Sequence, residues 1–305
     1  MRPLHQLIRD PKAILLGIMR HTASLWPDKL YLKIVYPLHM GKSLNLNNPR
    51  TFTEKLNWLK VNLRNENYSQ LVDKYEVKQF VRERLGGNEH VIKNLGVWNS
   101  FDEIDFDSLP NQFVLKTTNG GGNTSVVICK DKKKLNIEEC RKKLTLKSGK
   151  IFLWSREYPY YNVVPRIIAE EFIETEDDEL SDYKIFCFNG EPKFLFVGTE
   201  RQKKGTEVKF DFFDTEFNHL PIRNGHENSS HQILRPKNFE EMLEIAKKLS
   251  AGFPQVRVDF YNVNGKIYFG EMTFFHFAGF VPFEPEEWDY KFGDMLNLDI
   301  SNAKG

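Results

Sequence analysis

At Phe113 the chain changes its hydrophobic period, and that change constrains the fold more than any other feature of its 305 residues. Before it, helix signals dominate. Thr51 with Glu54 three residues on predicts a capping box ahead of "EKLNWLKVNL", and Asp73 with Glu76 predicts another ahead of "KYEVKQFVRERLGG", whose paired glycines end it. After Phe113 come short β-rich runs: "QFVLKTT", "TSVVICK", "RIIAEEFIE", "DYKIFCFNG", "KFLFVGTE" and "VKFDFFD". One further helix is expected from Asn238, with Glu241 as its capping partner, to about Ser250, leading into "VRVDFYNVNGKIYFGEMTF". Helices, then strands, then sheet with a helix predict an α+β, multi-lobed fold and exclude a regular βαβ alternation.

Forty-three basic against 42 acidic residues leave no net field to gather a nucleic acid, so no partner of that class is expected. Cys129, Cys140 and Cys187 are odd in number and widely spaced, which argues against a disulfide framework or a thiolate metal site and fits a reducing cytoplasm. Near the N-terminus the apolar run Ala13 to Met19 is far below the ~20 residues that span a bilayer. No small-residue cleavage site follows it, so the segment is read as retained. Over residues 1–35, Arg2, Arg9, Lys12, Arg20, Lys29 and Lys33 oppose only Asp10 and Asp28, beside a stripe of Ile14, Leu15, Ile18 and Met19. The expectation is a helix docked on the body through its stripe; the alternative is peripheral contact with the inner face of an anionic membrane.

The hairpin at 256–274 places charges where a sheet usually has apolar side chains. With Asn262 and Gly265 bounding a three-residue loop, 257 faces 271 and 259 faces 269. Arg257, Asp259, Glu271 and Thr273 then share one face, and Val256, Val258, Phe260, Tyr268 and Met272 fill the other. The two carboxylates become diagonal neighbours ~7–8 Å apart, a separation that an oxygen-liganded cation such as magnesium can bridge beside a phosphate. A two-residue loop at Asn264 and Gly265 would put them on opposite faces, so this reading requires the longer loop. A half-solvated hairpin with an Arg257–Glu271 pair accounts for the segment equally well.

"LKTTNGGGNTS" sets Gly120, Gly121 and Gly122 between two strands after Lys116, a tip whose backbone N–H groups can close round phosphate oxygens; a flexible hairpin tip is the plain alternative. It is not a Walker loop, since a strand follows it. "IIAEEFIE" is an apolar strand with adjacent carboxylates near its end, and "DYKIFCFNG" follows with Asp182 and Lys184 on one face. Such an edge suits an adenine ring and ribose hydroxyls, though surface charge at strand ends gives the same pattern.

In order, Lys74 in "VDKY", Lys116 before a glycine-rich hairpin, an E-E-F-I hinge, D-Y-K, then R-x-D and a downstream glutamate resemble the ATP-grasp series of elements. "NPRTFTEKLNWLK", "FVLKTTNGGGNTSVVICKD", "DYKIFCFNGEPKFLFV" and "VRVDFYNVNGKIYFGEMTFF" resemble the TupA-like ATP-grasp family of surface-polysaccharide and teichuronopeptide synthesis, from about Lys42 to Leu298. The resemblance implies ATP held between two α+β lobes behind a helical N-terminal region. It divides the chain into a basic segment 1–45, a helical lobe 46–110, a glycine-rich-loop lobe 111–173 and a metal lobe 174–300.

It also implies roles. Lys74 and Lys116 would meet the α and β phosphates, and Gly120, Gly121 and Gly122 the transferring phosphoryl group. Glu171, Phe172 and Ile173 would line the adenine site, and Asp182 would reach ribose. Lys184 and Arg257 would act as the catalytic cations, and Asp259 and Glu271 would hold Mg2+. Thr273 stands where many members carry Asn or Asp, and a hydroxyl is the weaker ligand. His276 falls near the acceptor side or is structural; Trp154, Tyr158, Tyr160 and Tyr161 are core or a sugar platform. The implied activity is a carboxylate–amine ligase working through an acyl phosphate, with a uronic acid or related glycan carboxylate and an amine such as an amino acid. The rivals are a kinase on the same fold and a glycosyltransferase using Asp105 and Asp107 as a DxD triplet, although that triplet lies in an acidic run where chance produces it.

Overall fold

The computed structural model describes residues 11–175, 180–200 and 206–298. Arg2, Arg9 and Asp10, and all but the first residue of the acidic "TEDDE" at 175–179, lie outside the described residues. Five helices lead: α1 (Pro11–His21), α2 (Asp28–Met40), α3 (Phe52–Asn62), α4 (Tyr68–Val72) and α5 (Val77–Leu85). The capping box on α3 is complete, with Thr51 Oγ1 accepting from Glu54 N at 3.2 Å and Glu54 Oε2 accepting from Thr51 N at 3.1 Å. At α5 only half of the expected box forms. Asp73 Oδ1 accepts from Glu76 N at 3.0 Å, but the Glu76 carboxylate accepts from Arg166 at 2.7 Å instead of turning back. Gly86, at φ 78°, ends α5 in the left-handed conformation that a glycine takes without steric cost.

Two antiparallel sheets follow. β1 (Asn94–Trp98), β2 (Phe113–Thr117), β3 (Val126–Cys129) and β4 (Ile167–Glu171) form the first, in the order β1-β4-β2-β3, with α6 (Ile137–Lys143) after β3. β5 (Asp182–Phe188), β6 (Glu191–Thr199), β7 (Lys209–Asp214), β8 (His219–Leu220), β9 (Gln255–Val263) and β10 (Lys266–Thr273) form the second, in the order β10-β9-β5-β6-β7-β8. Helix α7 (Phe239–Ser250) packs its buried Met242, Ala246 and Leu249 against β5, β6 and β9, and α8 (Glu287–Met295) packs on α3. The small sheet has its own apolar core around Phe113, Leu115 and Ile167, and the leading helices share the larger core with the six-stranded sheet. Trp154, Tyr158, Tyr160 and Tyr161 belong to that larger core.

Three expectations are corrected. The hairpin turns through two residues, Asn264 at φ 52° and Gly265 at φ 79°, and not three. Asn238 makes no cap on α7; its amide donates to Gly265 O at 2.8 Å and accepts from Asn262 Nδ2 at 2.7 Å, so it pins the hairpin tip. Finally, α1 rests on the body along Leu16 and Met19, with Arg20 over the Trp154 ring, whereas Ile14, Leu15 and Ile18 of the expected docking stripe are exposed.

Candidate active site

Three neighbouring strands carry charge on one face in aligned rows. Lys184 on β5, Asp259 on β9 and Glu271 on β10 are successive Cα partners, and the next row is Phe186, Arg257 and Thr273. Residues opposed in an antiparallel ladder share a face, so Lys184, Arg257, Asp259, Glu271 and Thr273 all point one way while Val258, Phe260 and Met272 enter the core. The expected pairing of 257 with 271 and 259 with 269 is therefore replaced by 257 with 273 and 259 with 271. A register shift at Gly270 makes this compatible with the two-residue turn, because the bulged residue moves Glu271 back to the face of Asp259.

Each of the three nitrogens of Arg257 is bonded at this site. Nε and Nη2 grip the two oxygens of Asp259 at 2.7 and 2.8 Å, Nη2 also donates to Thr273 Oγ1 at 3.0 Å, and Nη1 donates to His276 Nδ1 at 2.8 Å. Lys184 Nζ meets Asp182 at 2.8 Å and bonds Asp259. Lys74 reaches Glu271 at 3.1 Å and donates to Gly120 O, tying the glycine-rich tip to the hairpin. Asp182, Lys184, Arg257 and Asp259 are buried, where unpaired charge is costly, and the three cations balance three carboxylates. Burial pushes the Glu271 carboxyl up, but Lys74, Lys184 and Arg257 outweigh it and hold it well below the usual carboxylate range. Burial lifts Asp259 against the pull of Arg257 and Lys184; with a forked guanidinium and an ammonium on its oxygens it carries its charge at neutral pH.

Beside this cluster a cleft of about 1340 Å³ opens between the sheets, lined by Lys116, Glu171, Phe172, Ile173 and Tyr261 and by lysines of the β3–α6 side. Asp182, expected at ribose, is buried and pairs with Lys184. Lys116 bonds Glu170 at 2.6 Å, and Lys78 meets the same carboxylate at 2.6 Å. Burial pushes Glu170 up, yet Lys116 and Lys78 hold it down at about 2. Sequence reasoning missed Lys78, and gave Glu170 as one of two adjacent carboxylates at a strand end but not as the partner of two lysines. β4 is buried on both faces up to Glu170, so no alternation marks that residue, and Lys78 looks like any helix lysine. In the glycine tip a Cβ at Gly120 would come 2.3 Å from Thr117 Oγ1, whereas Gly121 faces open space. Asp105, of the DxD triplet, accepts the N–H of Asp107 at 3.1 Å in a surface turn.

His276 opens a segment in which Phe277, Ala278 and Gly279 all hold left-handed φ, at 46°, 54° and 62°. Non-glycine residues are strained there, and the segment is held from α3: Lys60 donates to Ala278 O and Asn57 Nδ2 to Gly279 O at 3.1 Å. Burial lowers the Lys60 ammonium to about 7, Glu157 opposing. The segment sets His276 between Arg257 and Asn224 Oδ1, 2.8 Å away.

A cleft of this size with an apolar wall and a rim of lysines fits a nucleotide. Asp259 and Glu271 have the oxygen chemistry of a magnesium site, and a cation there would take over contacts that Lys184, Arg257 and Lys74 now make. Among the described residues no group of three or more His, Cys, Asp or Glu is placed to hold a metal ion.

The family model described as TupA-like ATPgrasp matches residues 54–297. Among solved structures, the ATP-grasp ligase PsnB, complexed with minimal precursor, Mg and ADP, is 14% identical over 83% of this chain and 66% of that one, with a TM-score of 0.42. The ADP complex of purK, an N5-carboxyaminoimidazole ribonucleotide synthetase, is 15% identical over 67% and 45%, with a TM-score of 0.41. D-alanine–D-alanine ligase from Bacillus anthracis is 16% identical over 67% and 56%, with a TM-score of 0.37. The chain thus spans about half the length of several structures it matches. No curated protein matches it.

Proposed function

The chain belongs to the TupA-like ATP-grasp family, and from that premise we propose that it is an ATP-dependent ligase that joins an amine to a carboxylate. The carrying observation is the row Lys184, Asp259 and Glu271 with Arg257 beside it, set across three strands next to the cleft. In this reading the adenine sits by Phe172 and Ile173 and the phosphates run past Lys116 and Lys74 toward that row. A substrate carboxylate oxygen attacks the γ-phosphorus, the bond to ADP breaks, and an acyl phosphate forms. The amine then attacks the acyl carbon, phosphate leaves, and the amine gives up a proton as the amide forms. No side chain is a covalent nucleophile. Lys184 and Arg257 act by neutralising charge that grows on the phosphoryl oxygens. Magnesium held by Asp259 and Glu271 would supply further charge on the β and γ oxygens. For the acid we propose a uronic acid or related carboxylate of a surface-polysaccharide precursor, and for the amine an amino acid, on the family likeness, with the reaction on the cytoplasmic side as part of the same proposal.

The test is nucleotide binding followed by product analysis. ATP with magnesium should raise the melting temperature, and Asp259→Asn or Glu271→Gln should weaken that shift. With uronic acids and hydroxylamine as a surrogate amine, hydroxamate and ADP should appear together. Binding of a nucleotide sugar in preference to ATP overturns the reading; ATP turnover that leaves phosphate on the acid turns it into a kinase.

A further inference from the structure

The first elements of the described chain leave large apolar side chains in water. Helix α1 exposes Ile14, Leu15 and Ile18, the 3-10 turn Ala23–Leu25 exposes Leu25 at 78%, and α2 begins with an exposed Leu30. Five of the fourteen exposed large hydrophobics among the described residues therefore fall within residues 14–30, a concentration that singly scattered surface residues do not produce. Ile14, Leu15 and Ile18 share one helix face.

Cations are interleaved with them. Lys12, Arg20, Lys29 and Lys33 are all exposed, and Lys29 and Lys33 stand one turn apart on α2 beside Leu30. Asp28, the one acid from residue 11 to residue 40, is neutralised by the exposed Arg64 and by the buried Arg156 at 2.7 Å. Outward charge on the pair is thus positive.

We propose that α1, the 3-10 turn and the start of α2 form a docking surface for an anionic lipid bilayer. Aliphatic side chains enter the headgroup–acyl boundary while the flanking ammonium groups meet lipid phosphates and carboxylates. The chemistry favours lipid over a second copy of the chain, since a two-fold contact would set the same cations against each other. At 11 residues α1 is about 16 Å long, and no described helix is long and apolar enough to cross a membrane, so the surface lies on the bilayer and does not enter it deeply. The proposal stands independently of the ligase reading.

The experiment is sedimentation of the full chain with phosphatidylcholine vesicles, with and without phosphatidylserine. Binding is expected only when phosphatidylserine is present, and it should weaken with salt. Lys29→Gln and Lys33→Gln should each lower the partition coefficient about fivefold, and Ile18→Asp with Leu25→Asp should abolish sedimentation with melting temperatures unchanged. Failure to sediment with phosphatidylserine, equal sedimentation without it, or full binding by the variants overturns the proposal. So does a concentration-dependent dimer that the same variants dissolve, which would make the partner a second copy.

Discussion

Asp259 and Glu271 are opposed Cα partners across the β9–β10 ladder, although the hairpin between them turns through only Asn264 and Gly265. In an unbroken ladder that turn would oppose Asp259 to residue 270 and send Glu271 into the core. The extra residue at Gly270 resets the register, and a lysine and two carboxylates fall into line across three strands.

Gly270 leaves little room for a side chain, since an added Cβ would lie 3.1 Å from the Asp259 carbonyl oxygen. Gly270→Val is therefore expected to cost about 1–3 kcal/mol and to push the Asp259 strand segment out of line. Thermal unfolding should show the loss, and ATP titration should show weaker binding than that of an equally destabilised core variant. A variant with wild-type melting and affinity would show that the bulge is not what aligns the site.

Much of this was legible in the sequence, for reasons that differ by residue. Arg257, Asp259 and Glu271 stood out because charge inside an alternating strand has few explanations, and their shared face is real. Their pairing was misread because Asn262 to Gly265 suits two loop lengths, and the bulge hides the difference. Asn238 with Glu241 spells a helix cap, but the Asn238 side chain reaches the hairpin tip, a long-range contact that local spacing does not encode. Glu170 was legible as one of two adjacent carboxylates, but its place between two lysines was not, because its strand is buried on both faces and no alternation marks it. The α1 stripe was legible as a stripe, yet periodicity says nothing of what covers it.

Glu170 carries the charge balance of two lysines, the buried Lys78 and the partly buried Lys116. Glu170→Gln strands both and is expected to cost about 3–5 kcal/mol by urea unfolding at pH 7. The sign with pH follows from its position at about 2 against an unfolded value of roughly 4.3: the stabilisation is complete above that unfolded value and is lost as pH falls toward 2. Wild type should lose more stability over that window than the variant, in which the depressed carboxyl of Glu271 still titrates. A variant as stable as wild type at pH 7 would show that the lysines do not depend on this carboxylate.

Asn238 offers a test that separates two roles. A helix cap tolerates aspartate as well as asparagine, whereas the tie to Gly265 O needs the amide donor. Asn238→Asp is expected to lose about 1 kcal/mol and to increase hydrogen exchange at the β9–β10 turn. Unchanged stability with unchanged exchange would return Asn238 to the capping role.

His276 accepts from Arg257 through Nδ1, because a guanidinium only donates, so its proton sits on Nε2 and is donated to Asn224 Oδ1. Burial, then the Arg257 and Lys184 charges, push its pKa well below the ordinary value, and it stays neutral in the folded protein. In the unfolded chain the ring takes up a proton as pH drops below ~6.5, so folding stability held above that value is lost as pH falls, by about 1.4 kcal/mol for each unit. His276→Asn should remove that part of the acid decline. Urea unfolding of both proteins at pH 7.5 and 5.5 measures it directly, and an identical decline in the two would mean that the imidazole takes up its proton in the folded protein just as it does in the unfolded chain.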